Sequence, residues 1–234
     1  MTSIGMGSGV RAFDQAARRE GATGRVLLAC GILSSAVYLA IDMLGGLSYP
    51  GYSFTSQAVS ELGAIGAPSK SLVDTLFVGY DLLALLFGLG VFFAGATRNR
   101  ALRLAGAMLV AYGAISFAVA LFGGPTMFAM HPRGGTVSDD APHIVLTGVL
   151  VLFLLLAIGF GAFALGNRFR WYSLATMATA IIAGAFTVRF PPLMQAGLPT
   201  PGFGIIERVN IYACMLWIAV LGVALLRPRR DTGQ

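Results

Sequence analysis

The stretch from Met130 to His143 holds both histidines of the chain, His131 and His143, together with Arg133, Asp139 and Asp140. Imidazole and carboxylate in one segment are the ligand types that suit zinc and related ions, which makes His131 and His143 candidate metal ligands. Their spacing matches no compact motif such as two histidines one helical turn apart. Asp140 and Pro142 are also ordinary helix-start residues, and His143 would cap the first turn that follows them. A second set of candidates is scattered along the chain: Asp42, Glu61, Asp81 and the adjacent Glu207 and Arg208. No phosphate-binding glycine loop, nucleophile elbow or dinucleotide fingerprint accompanies any of them. No cofactor is expected.

These residues matter because of what surrounds them. Apolar residues make up 56% of the 234 positions and charged residues 11%, so the solvent for most of the chain is lipid. Apolar runs separate at Val26 to Leu44, Leu72 to Ala96, Leu102 to Phe122, His143 to Leu165, Tyr172 to Val188 and Gly204 to Leu226. Each approaches or exceeds the ~20 residues that cross a bilayer as a helix. The expected fold is therefore all-α, a polytopic bundle of six transmembrane helices over residues 26–226. A cytoplasmic segment, 1–25, precedes it and a basic tail, 227–234, follows. Leu27-Leu28-Ala29-Cys30 faintly resembles a lipoprotein cleavage box, but only four residues separate Arg25 from Cys30, so a retained first helix is expected.

Charge sets the expected orientation. The N-terminal segment, the two basic links near Arg98 and Arg168, and the C-terminal arginines hold twelve of the sixteen Lys and Arg. By the positive-inside rule both termini are cytoplasmic and the long loops face outward, in a cell membrane. The +6 charge is thus a topology signal and not a nucleic-acid surface. Most acids and both histidines gather on the outward side.

Depth separates the acids. Asp74 follows Ser71 at the spacing of a capping box. Asp81 lies seven residues further on, roughly 10 Å deeper at 1.5 Å per residue. A charged aspartate near mid-membrane costs roughly 2.5 to 3.5 kcal/mol, so Asp81 needs a partner or a water-filled cavity. Arg208, one turn inside the last helix, would reach it if the second and sixth spans pack together. The first outward loop, with Glu61, suggests a short interfacial helix over Phe54 to Leu62 ended by Gly63 in the left-handed conformation. Glu61 then either lies on the exposed face or turns inward over the bundle mouth. Gly88 with Gly95, and Gly106 with Gly113, share helix faces at seven-residue spacing, which predicts close helix packing within the bundle.

Ser60-Glu61-Leu62-Gly63, Gly66-Ala67-Pro68, the His131 loop ending in Asp140 and His143, and Glu207-Arg208 opening the last helix form a pattern that resembles the bacterial membrane-protein family called domain of unknown function 998. The resemblance runs from the first span to the last and implies a six-helix integral membrane protein without an established activity. A more distant comparison is with intramembrane hydrolases that include alkaline ceramidases, whose zinc needs three histidines; this chain has two.

Two functions follow. The preferred one is non-enzymatic: an outward polar pocket of Asp81, Asp42, Glu207, Arg208, Glu61 and the His131 to His143 segment binds or conducts a small ligand, ion or lipid headgroup. The other is a metal-dependent extracytoplasmic hydrolase of lipid-linked substrate, with His131, His143 and a carboxylate holding the metal. The bilayer is the one partner that composition implies.

Overall fold

The computed structural model describes residues 6–125, 137–195 and 198–227, with side chains over 21–125, 140–193 and 198–227. Its regular structure is helical: α1 (Met6–Leu47), α2 (Lys70–Arg98), α3 (Arg100–Phe122), α4 (Val137–Gly161), α5 (Asn167–Thr187), the short α6 (Phe190–Gln195) and α7 (Phe203–Leu226). A 3-10 turn, Val59–Gly63, interrupts the loop between α1 and α2. Six stretches are long and apolar enough to cross a membrane: Gly21–Leu47, Lys70–Arg98, Arg100–Phe122, Asp140–Gly161, Asn167–Leu193 and Phe203–Leu226. Helices are what lipid demands, because every backbone polar group must be satisfied within the segment.

The helices close a ring in which α1 packs against α2, α2 against α3, α3 against α4, α4 against α5, and α5 against α7, which returns to α1. Inside a membrane the hydrophobic effect does not hold such a ring together, so close approach and hydrogen bonds must. The α2–α3 pair is built on glycine. A Cβ on Gly106 would stand 2.3 Å from the Phe92 nitrogen, and one on Gly95 2.3 Å from the Arg103 nitrogen. Gly88 and Gly113 meet the opposite backbone in the same way, so the four glycines do pack helices within the bundle. Elsewhere hydrogen bonds bridge the ring: Ser35 Oγ donates to the Met215 carbonyl at 2.8 Å, and Trp217 Nε1 to Ser173 Oγ at 2.9 Å. Cys30 and Cys214 are both free thiols.

Helix ends depart from expectation in three places. Helix α1 starts at Met6, well before the apolar run, because its N-terminal residues contain no proline and include good helix formers such as Ala, Arg and Gln. The link between α2 and α3 shrinks to Asn99, whose side chain accepts the Leu102 N–H at 2.8 Å to cap α3 and donates to the Ala164 carbonyl at 3.0 Å. Helix α4 starts at Val137, so Pro142 lies inside it and His143 does not cap its first turn. Pro142 is the sixth residue of α4, so it removes the hydrogen bond that an N–H there would give to the carbonyl four residues back.

Candidate functional site

The loop between α1 and α2 folds back over the bundle mouth, and one buried ion pair holds it. Arg208, on the first turns of α7, donates from Nε to Asp42 Oδ2 at 2.9 Å and from Nη2 to Asp42 Oδ1 at 2.7 Å. Asp42, on α1, is fully buried, and Arg208 is 8% exposed. This corrects the sequence expectation that Arg208 reaches for Asp81. Helix α1 lies between α2 and α7, and its own acid takes the guanidinium first.

The remaining donors of Arg208 go to the loop. Nη1 reaches the carbonyls of Phe54 at 2.7 Å, Gln57 at 3.1 Å and Gly204 at 3.1 Å, and Nη2 reaches the Tyr52 hydroxyl at 2.7 Å. The Phe54 ring lies 5.0 Å from the guanidinium carbon. Tyr52 passes the interaction on by donating to the Ala58 carbonyl at 2.8 Å. Burial pushes the Tyr52 phenol well above its ordinary range, an effect larger than the opposing pull of Arg208, so the hydroxyl keeps its proton. Tyr212 also donates a short hydrogen bond to Asp42 Oδ2. Gly204 has to be glycine: a Cβ there would fall 2.4 Å from the Gln57 oxygen. Every N–H of Arg208 has a partner within the protein, so Asp42 and Arg208 form a structural clamp.

Glu61 is fully buried, the inward of its two expected positions. Its Oε1 accepts the Ala58 N–H at 3.0 Å, and its Oε2 accepts from Gln57 Nε2 at 3.1 Å. Glu61 thus organises the 3-10 turn from within, where an interfacial helix over Phe54 to Leu62 was expected. Gly63 is not left-handed; the turn ends at Ala64 in extended conformation. Ser69 Oγ ties the turn to α2 by donating to the Leu62 carbonyl at 2.6 Å. The capping box of Ser71 with Asp74 is not formed, because α2 already starts at Lys70 and Asp74 pairs with Lys70 Nζ at 2.8 Å.

Behind this lid lies a cavity of about 930 Å³, lined by every helix of the ring. Its walls are mainly apolar, and its polar groups are few. Asp81 is 3% exposed and accepts a hydrogen bond from Ser116 Oγ on α3 at 2.5 Å through Oδ1. Its Oδ2 takes no hydrogen bond from the described residues and faces the cavity. Glu207 accepts the Val59 N–H of the 3-10 turn at 2.5 Å through Oε2, which leaves Oε1 on the cavity side. Asp140 and His143 line the outer wall on α4. His143 Nδ1 lies 3.1 Å from the Pro125 carbonyl, which can only accept, so that nitrogen carries the proton and Nε2 faces Thr147 at 3.5 Å.

Of the expected site residues, then, Asp81, Glu207, Asp140 and His143 line one cavity, while Asp42, Arg208 and Glu61 build its lid. His131 and Arg133 lie outside the described residues. Among the described residues no three His, Cys, Asp or Glu side chains gather as a metal site. The sequence reading missed Tyr38, Tyr80, Tyr112, Ser116 and Asn210, all of which line the cavity. Their signal was available: Tyr112 and Ser116 are one helical turn apart in an otherwise apolar span, as are Tyr38 and Asp42.

Fold and site together define an integral membrane bundle whose six spanning helices surround a cavity at one end. A family model described as protein of unknown function (DUF998) matches residues 32–224, and the chain belongs to that family. Its two most distinctive sequence elements meet in space, since Glu207 holds the turn that contains Ser60-Glu61-Leu62-Gly63. Comparisons with curated proteins and with solved structures found no match.

Proposed function

We propose that the protein binds a small organic ligand or a lipid headgroup in this cavity, reached from the extracytoplasmic side of a cell membrane. The observation that carries the reading is the pair of half-satisfied carboxylates, Asp81 and Glu207, facing one largely apolar space of about 930 Å³. That size and chemistry, apolar walls with a few convergent polar groups, are those of small-molecule sites. An acid held at membrane depth without a basic partner is costly to keep for packing alone. Binding is favoured over conduction because, toward the basic links, the bundle interior is filled by Phe87, Leu109, Trp217 and Leu221, all buried.

Occupancy is directly measurable. Protein extracted with its surrounding lipid in polymer nanodiscs should carry a bound small molecule in native mass spectrometry. Ala120→Trp, which fills the cavity from α3, should lose it, and Leu152→Ala, on the lipid-facing side of α4, should keep it. A bound mass equally present in both variants would place the ligand elsewhere.

Orientation rests on the positive-inside rule and has its own test. In intact cells a membrane-impermeant maleimide should label Thr55→Cys in the exposed loop and should label Arg100→Cys only after permeabilisation. The reverse pattern would turn the cavity toward the cytoplasm.

A further inference from the structure

Four aromatic side chains line the cavity beside Asp81: Tyr38, Phe77, Tyr80 and Tyr112. Three of them pack edge to face, with ring centroids 5.1 Å apart for Tyr38–Tyr80, 5.8 Å for Tyr38–Phe77 and 5.9 Å for Phe77–Tyr80. Tyr80 and Tyr112 share a hydroxyl–hydroxyl hydrogen bond of 2.8 Å, whereas the Tyr38 hydroxyl is bonded to no described residue. Rings grouped around carboxylates are the recognition chemistry of organic ammonium ions, which the ring quadrupole attracts and the carboxylate neutralises.

The charge balance of the wall agrees. Among the described lining residues, Asp81 and Glu207 have no lysine or arginine salt-bridge partner, and the one lysine, Lys70, is committed to Asp74 at 2.8 Å and to the Gly63 carbonyl at 3.0 Å. An anion beside Asp81 and Glu207 would meet like charge and no described cation free to answer it. A bare metal cation would find too few oxygens, since hard cations take six or more, and would leave most of the volume empty. A neutral lipid would fill the volume but leave Asp81 Oδ2 and Glu207 Oε1 unanswered.

We infer that the cavity takes an organic ammonium group, primary to quaternary, carried on an apolar body, with the cation between the aromatic cluster and Asp81. This rests on the reading of the cavity as a binding site and deepens it to a ligand class. The same chemistry occurs in free lipophilic amines and in amine-bearing or choline-bearing lipid headgroups.

The probes are 4-phenylbutyl-trimethylammonium, its uncharged isostere with carbon in place of nitrogen, and dodecyltrimethylammonium, titrated calorimetrically into the full chain in lipid-free maltoside micelles with empty micelles subtracted. The ammonium should bind roughly tenfold tighter than the isostere. Asp81→Asn, which keeps the shape and a partner for Ser116, should remove that preference and leave isostere binding unchanged. Phe77→Leu should weaken the ammonium alone, and it serves as the test should the Asp81 variant fail to fold. Equal affinity for ammonium and isostere would overturn the ammonium assignment while leaving a binding cavity. Binding of none of the three would overturn both. A large gain from the dodecyl chain beyond its micelle partitioning identifies a lipid-borne headgroup, and equal affinity a free amine.

Discussion

Arg208→Ala is expected to destabilise the bundle by about 3–5 kcal/mol, the cost of breaking a buried pair and leaving its acid uncompensated. Asp42 would keep only the Tyr212 hydroxyl, and the Phe54 and Gln57 carbonyls would lose their shared donor. Arg208→Lys should recover little of this. An ammonium is a point donor, and it cannot span both Asp42 oxygens and the loop at once. The double variant Asp42→Leu with Arg208→Met removes both charges and should regain the part of the loss due to the unpaired acid. It cannot regain the part due to the loop, because the Phe54 carbonyl stays without the donor that Arg208 supplied and Gln57 keeps only the longer bond from the Tyr52 hydroxyl. Unfolding in graded sodium dodecyl sulfate, followed by tryptophan fluorescence, separates the two contributions. A loss below about 1 kcal/mol for Arg208→Ala would mean that the pair behaves as a solvated surface bridge.

The spans were legible in the sequence because a bilayer imposes a single criterion, apolar length, and six segments satisfy it. Their ends were less so. The start of α1 at Met6 and the place of Pro142 inside α4 depend on helix propagation, which does not require apolar residues. The place of Asp81 on α2, two turns past Asp74, followed from counting residues along one helix. Its partner did not, because Asp42 and Arg208 are 166 residues apart and which helices become neighbours is decided by packing. The same reason hid the aromatic wall. Tyr38 on α1, Phe77 and Tyr80 on α2 and Tyr112 on α3 look like scattered membrane tyrosines and phenylalanine until the ring of helices closes. Glu61 illustrates a local failure: a loop that reads as an interfacial helix wraps instead around its own buried carboxylate, because that carboxylate satisfies an amide no helix would leave free.

Gly106→Ala is expected to cost at least the 1–3 kcal/mol typical of overpacking, and Gly106→Leu considerably more. In a helix, glycine to alanine ordinarily stabilises by about 0.5–1 kcal/mol, so the steric term must exceed that gain before any loss appears. Here it does. The added Cβ would lie 2.3 Å from the Phe92 nitrogen and 2.5 Å from its Cα, atoms of a helix backbone that cannot rotate aside as a side chain can. Gly79→Ala is the matched control on α2, where a Cβ would meet nothing within 4 Å, and it should be neutral or stabilising. The consequence reaches the cavity, because α2 carries Asp81 and α3 carries Ser116 and Tyr112. Gly113→Ala, whose Cβ would stand 2.6 Å from the Leu85 backbone near the level of that pairing, should pull the two helices apart where the 2.5 Å bond from Ser116 to Asp81 spans them. Unfolding curves for the Gly79, Gly106 and Gly113 variants check the order, and equal stability of Gly79→Ala and Gly106→Ala would show that the helices are not held at backbone contact. If they are, the glycine pairs do more than stabilise the bundle: they set the distance at which Asp81 is half satisfied by Ser116 and keeps its second oxygen for the cavity.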